Sequence, residues 1–204
     1  MILAIDTSSA VAVAVVDDGG ASGFHTIAER SEFSPRGHAE LLAGFVKQAL
    51  AEAGVTRPDR VVVGTGPAPF TGLRVGIVTA RMLAFAWDVP CDGVCSLDAV
   101  GATAAGEVTV VADARRKEVY WATYRDGVRL AGPHVGAPES VEVLGAVLGR
   151  GATLYPEVFP GARAADPDPA LLVAVATAAR GAGMTELPTE PLYLRRPDVH
   201  GVPA

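Results

Sequence analysis

The stretch Val61–Trp87 constrains the fold more than any other part of the chain. It opens with a short β-branched run, Val61–Val63, which predicts a buried strand. The segment Gly64–Pro69 follows, in which glycine permits unusual backbone angles and proline excludes both helix and sheet pairing. A long helix is then predicted from Thr71, a candidate N-cap, to the residues before Pro90. This order of elements indicates an α/β fold.

The predicted helix is apolar on two sides, whereas an ordinary surface helix carries one apolar stripe. Its charge is confined to Arg74 and Arg81, which lie seven positions apart and so share a face. Two explanations are open: the helix is enclosed within its own domain, or its second face meets a partner. One stripe consists of Leu73, Ile77, Ala80, Ala84 and Trp87, and the other of Val75, Val78, Met82 and Phe85.

Composition narrows the class of protein. The chain has 204 residues, of which 50% are hydrophobic and 20% charged, so it can build one large core or two small ones. The formal net charge of −6 argues against nucleic-acid binding by bulk attraction, since nucleic-acid-binding domains are usually basic. The first residues, Met1–Asp6, form no basic leader, and no apolar run reaches membrane-spanning length. We therefore expect a cytosolic protein with no membrane partner.

Short strands and a second amphipathic helix make up the rest of the first half. The apolar positions from Leu41 to Leu50 recur with helical spacing. The predicted elements are strands at Ile2–Ile5, Val11–Val16 and near Gly23–Ala28, a hairpin turn at Asp17–Gly20, a lead-in at Ser34–Gly37, a helix at His38–Ala53, and a short strand or turn followed by a small helix, capped by Ser96, within Val94–Ala105.

The opening pattern of the chain recurs in its second half. A strand, Asp6, a polar turn and a strand precede Asp18-Gly19, and a strand, Asp113, a polar turn and a strand precede Asp126-Gly127. We interpret this as an internal duplication. The predictions here are strands at Val108–Ala112 and Glu118–Tyr124 around the turn Ala114–Lys117, a helix at Ser140–Leu148, a strand at Ala152–Tyr155, a loop at Pro156–Pro169, a helix at Ala170–Gly181, and an extended tail at Pro188–Arg196.

Two acids that follow predicted strands are the main candidates for ligand chemistry. At Asp6, Thr7 and Ser8, hydroxyls and turn amides are suited to a phosphate and the carboxylate to Mg²⁺. The alternative is a turn capped by its own side chains. Asp113 stands at the second such turn, so two facing acids would flank one nucleotide.

Other catalytic motifs are missing from the sequence. The turn around Gly66 lacks the Gly-Lys-Ser/Thr of a Walker loop, and Pro69 replaces the third glycine of a dinucleotide fingerprint. Leu42 stands one helical turn after His38, so no helical pair of imidazoles is available for a metal. The two cysteines have no nearby His or Cys partner set, which predicts reduced packing thiols.

Four segments together resemble the TsaB (YeaZ) family. They are ILAIDTSSAVAVAVV, GTGPAPFTGLRVGIVTARMLA, DARRKEVYWATY and PLYLR, which occur in the family's order and span nearly the whole chain. The resemblance implies the α/β actin-like fold of the actin, Hsp70 and sugar-kinase group (ASKHA). It also implies two RNase-H-like halves, at residues 1–105 and 106–204, in agreement with the duplication.

The resemblance further implies a role in tRNA modification. TsaB is similar to TsaD, the catalytic subunit that transfers a threonylcarbamoyl group to N6 of adenosine 37 in tRNAs reading ANN codons. The His-x-x-x-His metal site of TsaD is not present here. The chain is therefore expected to be a non-catalytic subunit that binds TsaD as a heterodimer and TsaE in a ternary complex. It would meet tRNA only through that complex and form a homodimer when alone.

The expected sites follow from the same resemblance. The helices His38–Ala53 and Thr71–Trp87 are expected to pack against the equivalent pair of TsaD. No cofactor or metal is expected, and the nucleotide site is expected to be vestigial, with at most weak ATP or ADP binding. The expected partner interface is His38, Leu41, Leu42, Phe45, Leu73, Arg74, Ile77, Ala80, Arg81 and Ala84, and the vestigial site is Asp6, Thr7, Ser8, Gly66 and Asp113.

Two alternative functions are open. The two acids at strand ends suggest an active ATPase or small-molecule kinase of the same fold. A peptidase is the other alternative, but the sequence offers neither a metal pair nor a nucleophile constellation for one.

Overall fold

The chain forms two β-sheets, the first of which has helices on both faces. A computed structural model describes residues 1–19, 23–33 and 38–195, without the side chains of His38 and Ala39. The strands are β1 (Ile2–Asp6), β2 (Val11–Asp17), β3 (His25–Glu32), β4 (Arg60–Gly64), β5 (Cys91–Val94), β6 (Glu107–Arg115), β7 (Glu118–Arg125), β8 (Val128–Gly136) and β9 (Ala146–Leu148), and the helices are α1 (His38–Glu52), α2 (Phe70–Trp87), α3 (Ser96–Gly101) and α4 (Pro169–Gly181).

The first sheet has the strand order β3-β2-β1-β4-β5. The neighbouring strands β1 and β2 are antiparallel, whereas β1, β4 and β5 run parallel to one another. Parallel strands need a crossover connection, which α1 and α2 provide. The carboxyl ends of the three parallel strands, at Asp6, Gly64 and Val94, therefore lie together at one edge of the sheet.

Alternation along each strand decides which helices cover which face of the first sheet. Leu3 and Ile5 of β1 point into a core closed by α1 and α2. Ile2 and Ala4 point into a second core closed by α4. Burial on both faces explains why β1 and β4 are continuously apolar rather than alternating.

The second sheet has the order β8-β7-β6-β9. Strand β7 is antiparallel to both β6 and β8, and β9 is parallel to β6. The short helix α3 joins the two halves, because Ala99 packs in a core of the first sheet and Leu97 in the core of the second. A Cβ on Gly101 of this helix would overlap the Tyr124 ring, so glycine permits the close packing.

The predicted elements of the first half are largely confirmed. The strands β1, β2 and β4 and the helices α1 and α2 lie within a few residues of their predicted bounds. Strand β3 runs further than the predicted Gly23–Ala28, to Glu32. The lead-in Ser34–Gly37, the last residue of the predicted turn, Gly20, and the last residue of the predicted tail, Arg196, lie outside the described residues.

Two predictions in the second half are wrong, and one strand was missed. Ser140–Leu148 is not a helix but ends in β9, because the backbone of Gly145 has φ +64 and the next residues pair with β6. Ala152–Tyr155 contains a 3₁₀ turn instead of a strand. Strand β8 was missed because its two glycines and a proline weaken a strand pattern, although an edge strand tolerates them.

Both predicted helix caps are also wrong. The N-cap of α2 is Pro69, which makes no side-chain cap hydrogen bond, and Thr71 lies inside the helix. The N-cap of α3 is Cys95, and Ser96 is the first residue of the helix. The Ser96 hydroxyl instead donates a hydrogen bond to Asp6, and this contact helps to hold the Asp6 turn described below.

Candidate functional site

The outward side of α2 carries three exposed large apolar residues. Val78 is 57%, Met82 61% and Phe85 84% exposed. They lie four and three positions apart, so they form one stripe along the helix. Single exposed apolar residues are normal on a protein surface, whereas contiguous apolar patches are typical of interaction sites. We refer to Val78, Met82 and Phe85 as the outer α2 stripe.

The inward side of α2 holds the stripe that the sequence analysis assigned to the partner. Leu73 and Ala80 are fully buried, and Ile77 and Ala84 are 2% and 3% exposed. All four pack in the core shared by α1, α2 and the first sheet. The prediction that these residues contact a partner is therefore wrong, because the sheet already covers them.

Helix α1 lies beside α2 on the same face of the first sheet. Leu42 is 1% exposed and packs in the core, so its assignment to the interface is also wrong. Leu41 and Phe45 are half-buried at the edge of that core. His38 begins the helix, and its side chain lies outside the described part of the structure.

Arg74 and Arg81 are both exposed on α2. In a helix of 3.6 residues per turn they lie on the same side as the outer α2 stripe. The structure is thus compatible with Arg74, Arg81, Leu41 and Phe45 at a partner surface, and their role there stays a prediction.

The Asp6 carboxylate is buried and engaged by its own fold. Its Oδ1 accepts hydrogen bonds from the backbone N–H and the hydroxyl of Ser8 at 2.7 and 2.6 Å, and its Oδ2 accepts one from Ser96 Oγ at 2.6 Å. Burial raises the pKa of Asp6 above its ordinary value, although the hydrogen bonds from Ser8 and Ser96 act in the opposite direction. Both carboxylate oxygens therefore hold the turn together.

Two glycines allow this turn to close against neighbouring elements. A Cβ on Gly64 would overlap the Asp6 carboxylate and come within 2.6 Å of Ser96 Oγ. A Cβ on Gly76 of α2 would overlap Thr7, whose hydroxyl donates to the carbonyl of Gly72 at 2.8 Å. Thr7 thus contacts the backbone of α2 and is 2% exposed. These contacts follow the second interpretation of the sequence, a turn capped by its own side chains.

A cavity of about 160 Å³ lies between the two halves. Ser8 and Asp113 both line it, so the structure does bring the two predicted turns to one cleft. Asp6, Thr7 and Gly66 are not among its lining residues. The cavity is smaller than the roughly 300–1,000 Å³ of ordinary small-molecule sites. Its remaining lining is mostly apolar and includes Leu97, Val100, Val110, Val111 and Leu154.

Asp113 is turned toward its own hairpin. Its Oδ1 accepts a hydrogen bond from the backbone N–H of Arg115 at 2.7 Å, and its Oδ2 lies 3.1 Å from the guanidinium of the same residue. The carboxylate is therefore paired within its own hairpin. The two predicted turns meet at one cleft through Ser8 and Asp113. The carboxylates of Asp6 and Asp113 do not both point, unpaired, at a shared ligand.

A polar bridge that the sequence analysis missed spans the cleft. Arg150 forms a two-nitrogen ion pair with Asp166, whose Oδ1 also accepts a hydrogen bond from Ser9 at 2.6 Å. The Arg150 guanidinium lies 4.4 Å from the centre of the Phe33 ring. Burial by itself would raise the pKa of Asp166, but the hydrogen bonds from Arg150 and Ser9 outweigh it and hold this pKa below its usual range. No local motif could have paired residues this far apart in sequence.

The described residues show neither a metal-binding cluster nor a reactive thiol. Among residues 1–19, 23–33 and 38–195, no three His, Cys, Asp or Glu side chains are placed to hold a metal ion. Burial raises the pKa of the free thiols Cys91 and Cys95 to about 11 and about 12, so both are poor nucleophiles. None of the helices in these ranges is long and apolar enough to cross a bilayer.

Comparison with known proteins gives the family. A family model described as "TsaD: tRNA N6-adenosine threonylcarbamoyltransferase" matches residues 30–161. The solved structure of YeaZ from Pseudomonas aeruginosa matches with a TM-score of 0.79 and 32% sequence identity, over 95% of this chain and 99% of that one. The chain belongs to the TsaB (YeaZ) family. The α/β actin-like fold predicted from the sequence is thereby confirmed.

Curated relatives of this TsaB-family chain are longer than the matched region. An uncharacterised protein of Mycobacterium leprae is 44% identical over 208 residues, which cover 100% of this chain and 57% of that protein. The tRNA threonylcarbamoyladenosine biosynthesis protein TsaB of Escherichia coli K12 is 36% identical over 132 residues, which cover 61% of this chain and 54% of that protein. The matches thus span little more than half the length of these two relatives.

Proposed function

We propose that this TsaB-family chain is a non-catalytic subunit of the machinery that makes N6-threonylcarbamoyladenosine in tRNA, and that it binds a TsaD-family protein. The outer α2 stripe of Val78, Met82 and Phe85 is the observation that carries the proposal. Met and aromatic side chains that are exposed in the isolated protein are typical of surfaces that become the buried centre of an interface in a complex. This surface replaces the inward stripe as the proposed docking site.

The kind of partner follows from the helices that surround the stripe. The TsaD family model matches residues 30–161, a range that includes α1 and α2. A TsaD-family protein is therefore expected to carry an equivalent helix pair. Two equivalent pairs can pack face to face about a near-twofold axis, as in an isologous interface. For the same reason we propose that two copies of this chain pair when the partner is absent.

A non-catalytic role fits the state of the strand-end acids. Both oxygens of Asp6 are hydrogen-bonded by Ser8 and Ser96, and Asp113 is paired with Arg115. We propose that Asp6, Thr7, Ser8, Gly66 and Asp113 are a vestigial nucleotide site with at most weak ATP or ADP binding. The active ATPase or kinase alternative would require these hydrogen bonds to be given up to a ligand.

The remaining assignments are part of the same proposal. The net charge of −6 supports a chain that leaves tRNA to its partner, because the tRNA backbone would repel it. We propose that TsaE joins the two proteins in a ternary complex in the cytoplasm. We also propose that the RNase-H-like halves divide at residue 105, with α4 returning from the second half to pack on the first sheet.

Size-exclusion chromatography with light scattering tests the proposal. This chain, the TsaD-family protein of the same organism and their mixture would be compared at equal concentration. We expect a new peak with the mass of a 1:1 complex. Separate elution of the two proteins at concentrations far above micromolar, with and without ATP, would contradict the proposal.

Reconstitution then separates a scaffold from an enzyme. Threonylcarbamoylation of tRNA would be measured with the TsaD-family protein, TsaE and a threonylcarbamoyl-adenylate source, with and without this chain. We expect activity only when the chain is present, and no phosphate release by the chain alone. Phosphate release that is lost in Asp6→Ala would favour the ATPase alternative.

A further inference from the structure

The carboxyl-terminal tail meets α2 at the end of the outer α2 stripe. Tyr193 packs on Phe70, the first residue of α2, with their ring centres 4.7 Å apart. Arg74 Nε donates a hydrogen bond of 2.6 Å to the Tyr193 hydroxyl. The Arg74 guanidinium also lies 5.3 and 5.4 Å from the centres of the Phe70 and Tyr193 rings, respectively, so the two aromatic side chains fix its position.

This cluster continues the outer α2 stripe. Phe70, Arg74 and Val78 are spaced four residues apart, so they occupy one side of the helix. From Phe70 to Phe85 this side extends about 22 Å at 1.5 Å per residue. At the amino-terminal end of this helix surface, Tyr193 is 40% exposed and the neighbouring Arg74 is also exposed. The helix and the tail therefore present one continuous surface.

The Arg74 guanidinium forms no ion pair with the described residues. Within residues 1–19, 23–33 and 38–195, no carboxylate lies within ion-pair distance of it, although Arg30, Arg60, Arg115, Arg125, Arg129, Arg150, Arg180 and Arg195 all have one. A guanidinium fixed by two rings loses little freedom when it binds, and its remaining N–H groups match a carboxylate. The surface is therefore suited to an acidic group.

The tail has contacts with the rest of the fold on both sides of Tyr193. The backbone N–H of Leu192 donates to the carbonyl of Thr65 at 2.9 Å. On the other side, Arg195 forms an ion pair with Glu118 of β7. These contacts flank Tyr193, which stays 40% exposed.

We propose that Tyr193 and Arg74 extend the docking surface beyond the helices, with Tyr193 positioning the Arg74 guanidinium for a carboxylate of the partner. This inference rests on the proposed function, since the partner is the TsaD-family protein. It assigns a functional role to the tail, which the sequence predicted only as an extended segment. It also predicts an acidic group on the partner's surface opposite Arg74.

Affinity measurements on a set of variants test the inference. The dissociation constant for the TsaD-family protein would be measured by calorimetry for the wild type, Tyr193→Phe, Tyr193→Ala, Arg74→Ala and the control Glu190→Ala, an exposed tail residue. We expect Tyr193→Ala to bind about tenfold more weakly or worse, as for an interface tyrosine. We expect Tyr193→Phe to bind a few-fold more weakly because the ring stays but the hydrogen bond is lost, and Glu190→Ala to bind as the wild type.

A double variant separates positioning from simple attachment of the tail. If Tyr193 acts through Arg74, the combination Tyr193→Phe/Arg74→Ala should bind no more weakly than Arg74→Ala alone, because the hydrogen bond has no partner left. Additive losses would overturn the positioning role. Wild-type affinity in Tyr193→Ala, together with lost binding in Met82→Asp, would overturn this inference and leave the proposed function intact. Wild-type affinity in Met82→Asp would instead count against the proposed docking face.

Discussion

Replacing one residue on each side of α2 tests the orientation of the helix, on which the docking proposal depends. Leu73 is fully buried under the turn before the helix, and a Cβ on Gly66 would come within 2.9 Å of its Cδ2. Leu73→Ala should lower the free energy of unfolding by about 2–5 kcal/mol, because it removes buried methyl groups and leaves a cavity. Phe85→Ala should change it by less than about 0.5 kcal/mol, since Phe85 is 84% exposed.

Thermal and urea unfolding followed by circular dichroism would measure both effects. For a chain of this size each kcal/mol corresponds to roughly 2–4 °C, so a loss of about 3 kcal/mol should lower the melting temperature by roughly 6–12 °C. Measurements belong at low micromolar concentration, where self-pairing through the outer α2 stripe contributes least. A stable Leu73→Ala variant together with a strongly destabilised Phe85→Ala variant would refute the orientation of α2.

Three further expectations concern the strand-end turn, the cleft bridge and the thiols. Gly64→Ala should lower the free energy of unfolding by about 2 kcal/mol or more, because its Cβ would overlap the Asp6 carboxylate. The control Gly44→Ala in α1, where a Cβ would meet nothing within 4 Å, should raise the free energy of unfolding by up to about 1 kcal/mol. Equal effects of the two substitutions in urea melts would contradict this expectation. The lowered pKa of Asp166 stabilises the fold at pH values above the unfolded-state pKa of about 3.9, and this contribution is lost as the pH falls through the folded-state pKa. The difference in free energy of unfolding between wild type and Asp166→Asn should therefore shrink below about pH 4. A difference that stays constant with pH would be inconsistent with the bridge. Cys91, with a pKa of about 11, should react with a disulfide reagent at pH 8 roughly two orders of magnitude more slowly than an unfolded thiol, and equal rates in the folded and the guanidinium-unfolded protein would argue against its burial.

Strong local patterns explain why the first half of the fold was predictable. Val61–Val63 is β-branched and bounded by glycine, and the two long helices carry clear periodicity, so propensity and pattern agree. In the second half, Ser140–Leu148 has helix-forming residues but pairs with β6 through its last three. Such tertiary pairing overrides a weak local preference and cannot be read from the segment alone.

The two apolar sides of α2 were predictable from the sequence, but which of them is buried was not. Two apolar stripes on α2 left open whether the helix is enclosed within its own domain or meets a partner through its second face, and the sequence could not decide which stripe faces the sheet. Ile77 and Val78 are adjacent and similar in chemistry, yet one is 2% and the other 57% exposed. The cleft bridge between Ser9, Arg150 and Asp166 and the contact between Arg74 and Tyr193 join distant segments, so no spacing rule predicts them.

The most direct test of the account is the affinity of Met82→Asp for the TsaD-family protein of the same organism. Val128→Asp on β8 is the matched control, because Val128 is 66% and Met82 61% exposed and both are apolar. A carboxylate buried without a partner at the interface should weaken binding at least ~100-fold in Met82→Asp, while Val128→Asp should bind as the wild type. Equal affinities of the two variants, with both chains folded, would contradict the claim that the outer α2 stripe is the docking surface.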